Sequence, residues 1–103
     1  MANIREARRA LVARILAGEG HTGPAQRRAA FGSAAELPEV LQTLVGKVAR
    51  EPRSVRDADF AAARAAGFSE DQLFELVVCA AIGQASRQYE AALAALDRAT
   101  GKE

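Results

Sequence analysis

From Leu76 to Gly83 the chain reads LVVCAAIG, a run without a single polar side chain. A helix that is apolar all round over two turns has to be covered on every side. This run therefore predicts a central helix, with the other helices packed around it and a second subunit as the further candidate cover. The start of that helix is written just upstream. Gly67 suits the left-handed position that ends a preceding helix. Ser69, with Gln72 three residues on, makes a capping box, and Phe68 and Leu73 occupy the two positions of a hydrophobic staple. The stretch that organises the chain runs from Gly67 to Ala95.

The side chains limit the core such a helix can organise. Half of the 103 residues are apolar, but many are Ala and none is Trp. The length fits one domain, 1–103. Ala-rich helices approach closely and bury little area each. At roughly 25 cal/mol per Å², such a chain gains by burying further surface in an oligomer. The net charge is +1 with the signs well mixed, which argues against a nucleic-acid or polyanion binder. With Cys79 the only cysteine and His21 the only histidine, neither an intrachain disulfide nor a multi-cysteine metal site is expected, and no metal or cofactor is called for. No apolar run of membrane-spanning length and no signal-peptide core are present. A soluble cytoplasmic protein that binds no membrane is the expectation.

Along the chain, residues 3–17 place Ile4, Ala7, Leu11, Val12, Ile15 and Leu16 on one helical face, with Arg5, Arg8, Arg9 and Arg14 mostly on the other. That basic face, diluted by Glu6 and Glu19 and lacking an aromatic stacking partner, reads as a solvated face or subunit contact rather than a phosphate site. The linker GEGHTGP holds His21, and Pro24 is placed to begin a short helix, AQRRAAF. A lone His between glycines is read as a loop residue, with a catalytic or proton-transfer role as the alternative. A helix begins at Leu37-Pro38-Glu39 and Pro52 closes it. Asp57 and Asp59 fall in the first turn of a helix reaching Ala66, where carboxylates offset the helix dipole. Two residues apart, they do not face each other as an acid–base pair would. After Gly83 a bend or break is expected, because Gly costs about 1 kcal/mol inside a helix and the next turn is abruptly polar. Gly101 ends the pattern, and no strand signal appears. The fold class is all-α, with five or six helices around the central one: N-terminal helices over 1–35 and a core over 36–98.

From Leu44 to Leu96, about half the chain, several features occur in a telling order. Lys47 to Pro52 is followed by V-x-D-x-D, an Ala-rich helix, the sequence AAGFSEDQLF, and an apolar helix that ends in a polar turn with Arg87. In this the segment resembles the second half of proteins of the carboxymuconolactone decarboxylase and alkylhydroperoxidase D-like family. The resemblance implies an all-helical, normally oligomeric fold with the long apolar helix at the subunit interface. Redox members of that family carry CxxC with a His three residues after the second Cys, a nucleophilic thiolate with a resolving partner and a base. Laid against Gly67, those positions fall on Arg53, Arg56 and Asp59; in a pure second-half register the whole region is absent. Either way the dithiol is missing. The family's decarboxylase branch works without cysteines, and Arg53, Arg56 and His21 are the residues it would recruit, although nothing in their spacing makes them converge.

Cys79 lies in the apolar run, where a free Cys behaves as a small hydrophobe and burial makes its thiol inert. Arg87, two turns on, is about 12 Å away by helical rise, too far to activate it. With Gln84, Gln88 and Tyr89, Arg87 is a candidate lining for a polar ligand pocket at the end of the apolar helix, or a source of inter-subunit hydrogen bonds. The leading functional expectation is a non-redox oligomeric subunit or small-ligand-binding protein, assembling with itself or with a CxxC-bearing paralogue. The alternatives are a one-cysteine peroxidase using Cys79, a decarboxylase-like proton-transfer enzyme, and, from the basic face of residues 5–14, a nucleic-acid binder.

Overall fold

The computed structural model describes Ala2–Gly101 and is all-α. Its helices are α1 (Ala2–Ala17), α2 (Pro24–Phe31), α3 (Glu39–Arg50), α4 (Asp57–Ala65) and α5 (Glu70–Thr100), with a 3-10 turn over Pro52–Ser54. Met1, Lys102 and Glu103, at the ends of the domain expected over 1–103, lie outside the described residues. Among the described residues there is no strand, and no helix is long and apolar enough to cross a membrane.

Local signals set the boundaries. The Gln72 amide donates to Ser69 Oγ at 3.1 Å and the Ser69 amide to Gln72 Oε1 at 2.9 Å, closing the capping box of α5. Gly67, at φ +106°, ends the preceding helix, and the Phe68 amide reaches back to the Ala63 carbonyl. At the start of α4, Asp59 Oδ2 accepts from the Arg56 amide at 2.8 Å, while Lys47 Nζ donates to the same carboxylate at 3.0 Å. Asp59 thus caps α4 and ties it to α3.

The core lies along one side of α5. Leu73, Leu76, Cys79, Ala80 and Gly83 are buried there, against Ala29 and Ala30 of α2, Leu41, Leu44 and Val45 of α3, and Ala63 of α4. α5 touches each of the other four helices, so the apolar run does form the central element.

Three expectations are corrected. First, α5 continues without interruption through Gly83. The glycine is there because α2 crosses so closely that a Cβ would overlap the Phe31 carbonyl. Second, the other helices cover the apolar run only in part: Ala81 is exposed and Val77, Val78 and Ile82 are half-buried. Third, the apolar face expected for α1 packs only at its C-terminal end. Ile15 and Leu16 join the core, whereas Ile4 and Leu11 stand exposed and Arg5 and Arg8 are half-buried. Tyr89 of α5 attracts that basic face: the Arg8 guanidinium lies 5.0 Å from its ring centre.

The 31 residues of α5 extend about 46 Å at 1.5 Å per residue, and the molecule is correspondingly long, 51 × 29 × 20 Å. Its radius of gyration is 15.4 Å, against about 13 Å for a compact domain of this size. Beyond Ser86 no residue of α5 is buried.

Candidate functional site

The loop between α1 and α2 is held by one carboxylate. Glu75, in the second turn of α5, accepts from the His21 amide at 2.6 Å, the Thr22 amide at 2.9 Å and the Thr22 hydroxyl at 2.7 Å. Burial by itself would raise the Glu75 carboxyl. The His21 and Thr22 hydrogen bonds outweigh it and hold the group below its ordinary 4.5. Gln72 Nε2 donates to the His21 carbonyl at 3.2 Å, so His21 serves through its backbone. Its imidazole stays in solvent, 3.8 Å from the exposed Asp71 carboxylate. Among the described residues no group of three or more His, Cys, Asp or Glu is arranged to hold a metal ion.

Pinning this loop fixes the start of α2 and brings Arg27 beneath α1. Arg27 is only 5% exposed. Its Nη1 donates to the Ile15 carbonyl at 2.9 Å, one of the last four carbonyls of α1, which the helix itself leaves free. Its Nε is buried without an acceptor, and among the described residues Arg27 forms no ion pair. A cleft of about 170 Å³ opens beside it, walled by Ile15, Arg27, Phe74, Glu75, Val78 and Cys79, with Arg14 and Glu19 also on its border. Burial pushes the Cys79 thiol up from its ordinary 9.0; the Arg27 guanidinium draws it down in part and the Glu75 carboxylate adds to the rise. At neutral pH the cleft therefore presents a buried cation, a neutral thiol and an engaged carboxylate.

The residues expected around the polar turn of α5 separate. Arg87 Nη2 donates to Gln84 Oε1 at 3.1 Å and Nη1 to the Phe31 carbonyl at 2.8 Å, so this pair finishes the C-terminus of α2. Tyr89, two residues on, lies on the other side of the helix against Arg8, which also pairs with Glu90 at 3.0 Å. These three residues do not form a common pocket. Arg53 and Arg56 are exposed around the 3-10 turn, where Arg56 Nη1 folds back onto the Arg53 carbonyl at 2.8 Å. Together with Asp59, which is committed to Lys47, they form the surface of that turn. His21 lies elsewhere, on the loop held by Glu75.

Nothing matches this chain among family models, curated proteins or solved structures.

Arg27 and Glu75 escape a reading of the sequence alone. Arg27 belongs to AQRRAAF, where two adjacent arginines in a short helix look equally solvated; which one faces inward depends on the rotation of α2 about its axis. Glu75 is the one acid between Leu73 and Gly83, and that isolation in an apolar stretch is the one signal that singles it out.

Proposed function

We propose that this chain is a self-assembling helical subunit of the carboxymuconolactone decarboxylase and alkylhydroperoxidase D-like kind, working without the family's dithiol. The observation that carries the proposal is an uncovered apolar stripe along α5. Phe74, Ala81, Ala85, Ala92, Leu96 and Ala99 are all exposed, at spacings of seven, four, seven, four and three residues. On a helix these spacings keep all six within one narrow face, and a seven–four alternation is an 11-residue repeat, the period with which helices wind about one another in a right-handed supercoil. Phe74 is 70% exposed and closes an apolar groove with Phe60, Leu73 and Val77. The small side chains of the stripe let a second helix approach closely, and Phe74 and Leu96 supply the large contacts.

The chemistry of the chain supports a non-redox role. Laid against Gly67, the positions of the CxxC and its His hold Arg53, Arg56 and Asp59, and Cys79 is buried with its thiol raised above its ordinary value. The subunit acts in the cytoplasm and assembles through α5 with a second copy of itself. The test is the native mass of the complex isolated from its own cells, by native mass spectrometry and light scattering. A plain multiple of 10.9 kDa supports self-assembly. A complex with a CxxC-bearing polypeptide replaces the homo-oligomer with a mixed one, and a stable monomer at micromolar concentration overturns the reading.

A further inference from the structure

The cleft between α1, α2 and α5 contains a charge without a partner. Arginine is almost never fully buried unless it is paired, because an uncompensated buried ion costs several kcal/mol. Arg27 receives one backbone carbonyl on Nη1. Among the described residues its Nε and Nη2 have no hydrogen-bond acceptor. Glu75, the carboxylate across the cleft, has its oxygens engaged by the His21 and Thr22 donors. Glu19 borders the cleft without pairing with Arg27.

We infer that this cleft is a binding site for a small monocarboxylate with a short apolar tail, held by Nη2 of Arg27. Nη1 is engaged by the Ile15 carbonyl and Nε is sealed from solvent, which leaves Nη2 to donate a charge-assisted hydrogen bond to a carboxylate oxygen. Ile15, Phe74 and Val78 give the tail apolar walls, and the volume of about 170 Å³ suits a chain of a few carbons. The charge balance sets the class. Arg27 and Arg14 border the space with Glu75 and Glu19, so the lining carries no net positive charge to offset a dianionic phosphate, and a monocarboxylate is the better match. Cys79 Sγ takes no covalent part; it is a small, polarisable piece of wall. The site lies on the side of α5 that faces α1 and α2, and it borders the stripe proposed for assembly at Phe74.

The experiment is a titration of the purified full chain, followed by ¹H–¹⁵N correlation spectra at constant ionic strength. The probes are sodium butanoate, butanamide and sodium chloride. Butanoate is expected to give saturable shifts at the amides of Ile15, Arg27, Val78 and Cys79 and at the Arg27 side-chain Nε–H, while butanamide and chloride give none. Arg27→Met removes the cation and keeps most of the side-chain volume, and is expected to weaken butanoate binding about tenfold or more. Should that variant not fold, Val78→Phe fills the cleft while leaving the guanidinium in place, and is expected to abolish the shifts. Absence of saturable butanoate shifts, an equal response to butanamide, or unchanged affinity in a folded variant overturns the inference.

Discussion

The carbonyl of Phe31 occupies the space that a Cβ on Gly83 would need. The same carbonyl accepts from Arg87 Nη1 at 2.8 Å, so one atom at the end of α2 is met by α5 twice, once by contact and once by a cation. The first contact depends on Gly83, a residue that a helix built for itself alone would not choose.

Gly83→Ala is therefore expected to destabilise the protein although Ala is the better helix former. The helical preference returns about 1 kcal/mol, but the added methyl meets backbone, which cannot rotate away, and overpacking of this kind costs about 1–3 kcal/mol or more. With Arg87 displaced from its carbonyl as well, the net loss is about 2 kcal/mol and the melting temperature falls by about 10 °C. Calorimetry at matched protein concentration checks this. A higher melting temperature for the Ala variant would show that the α2–α5 approach is not as close as described.

Glu75 gives stability a definite pH dependence. Its carboxyl lies below the ordinary 4.5 in the folded chain, since burial, which raises it, is outweighed by the His21 and Thr22 hydrogen bonds. A lowered folded-state value means the unfolded chain binds the proton more readily. The stabilisation is thus fully present above the ordinary value and is lost as pH falls through the folded one. Asp59 acts in the same direction, lowered first by the Arg56 amide and then by Lys47. In Glu75→Gln the charge that receives three donors is gone, two of them from the buried Thr22, and about 1–3 kcal/mol of stability at pH 7 goes with it. Urea unfolding of both proteins from pH 7 down to pH 3 is expected to bring the two curves together toward the acid end. Parallel curves would refute the role given to this carboxylate.

Cys79 is expected to behave as a wall and not as a nucleophile. Burial raises its thiol above the ordinary 9.0 despite the Arg27 guanidinium, so the thiolate that reacts with peroxide or iodoacetamide is scarce at pH 7. Alkylation of the folded chain should be slower than that of the urea-unfolded chain by at least an order of magnitude. Peroxide consumption in the presence of a dithiol should be the same with and without protein. Rapid peroxide turnover that Cys79→Ser abolishes would establish the one-cysteine peroxidase reading instead.

What was legible in the sequence follows the range of the interactions involved. The start of α5 is written within four residues, Ser69 to Gln72, and the Asp59 cap within another four; each is satisfied by its own neighbours. The all-α class follows from periodicities of the same short range. Gly83 misleads because a glycine that breaks a helix and one that admits a neighbouring backbone look alike until the neighbour is known. The cleft is less legible still. Thr22 and Glu75 are 53 residues apart, and Arg27 is inside only because the loop they fix sets the rotation of α2. Arg87 and Tyr89 belong to one polar turn in the sequence, but two residues apart on a helix face roughly opposite ways, and each has its partner on a different helix.

Ala85 is the position at which the assembly surface can be tested without touching the fold. It is exposed, lies midway along the stripe from Phe74 to Ala99, and is on the opposite side of α5 from the buried Leu76 and Gly83. Arg is nearly as good a helix former as Ala, so Ala85→Arg is expected to leave the melting of the protomer within about 0.5 kcal/mol of the parent. In an α5–α5 pair, however, it places a long cation where two helix backbones approach over small residues. Removing the close contact and burying a charge together cost several kcal/mol, enough to shift a micromolar assembly to monomer. The matched control is Ala91→Arg, also exposed but about a quarter turn off the stripe. Light scattering at micromolar concentration should give the assembled mass for the parent and Ala91→Arg, and 10.9 kDa for Ala85→Arg. If Ala85→Arg keeps the parent's mass, α5 is not the surface through which the subunits meet, and the exposed Ile4 and Leu11 of α1 become the next surface to test.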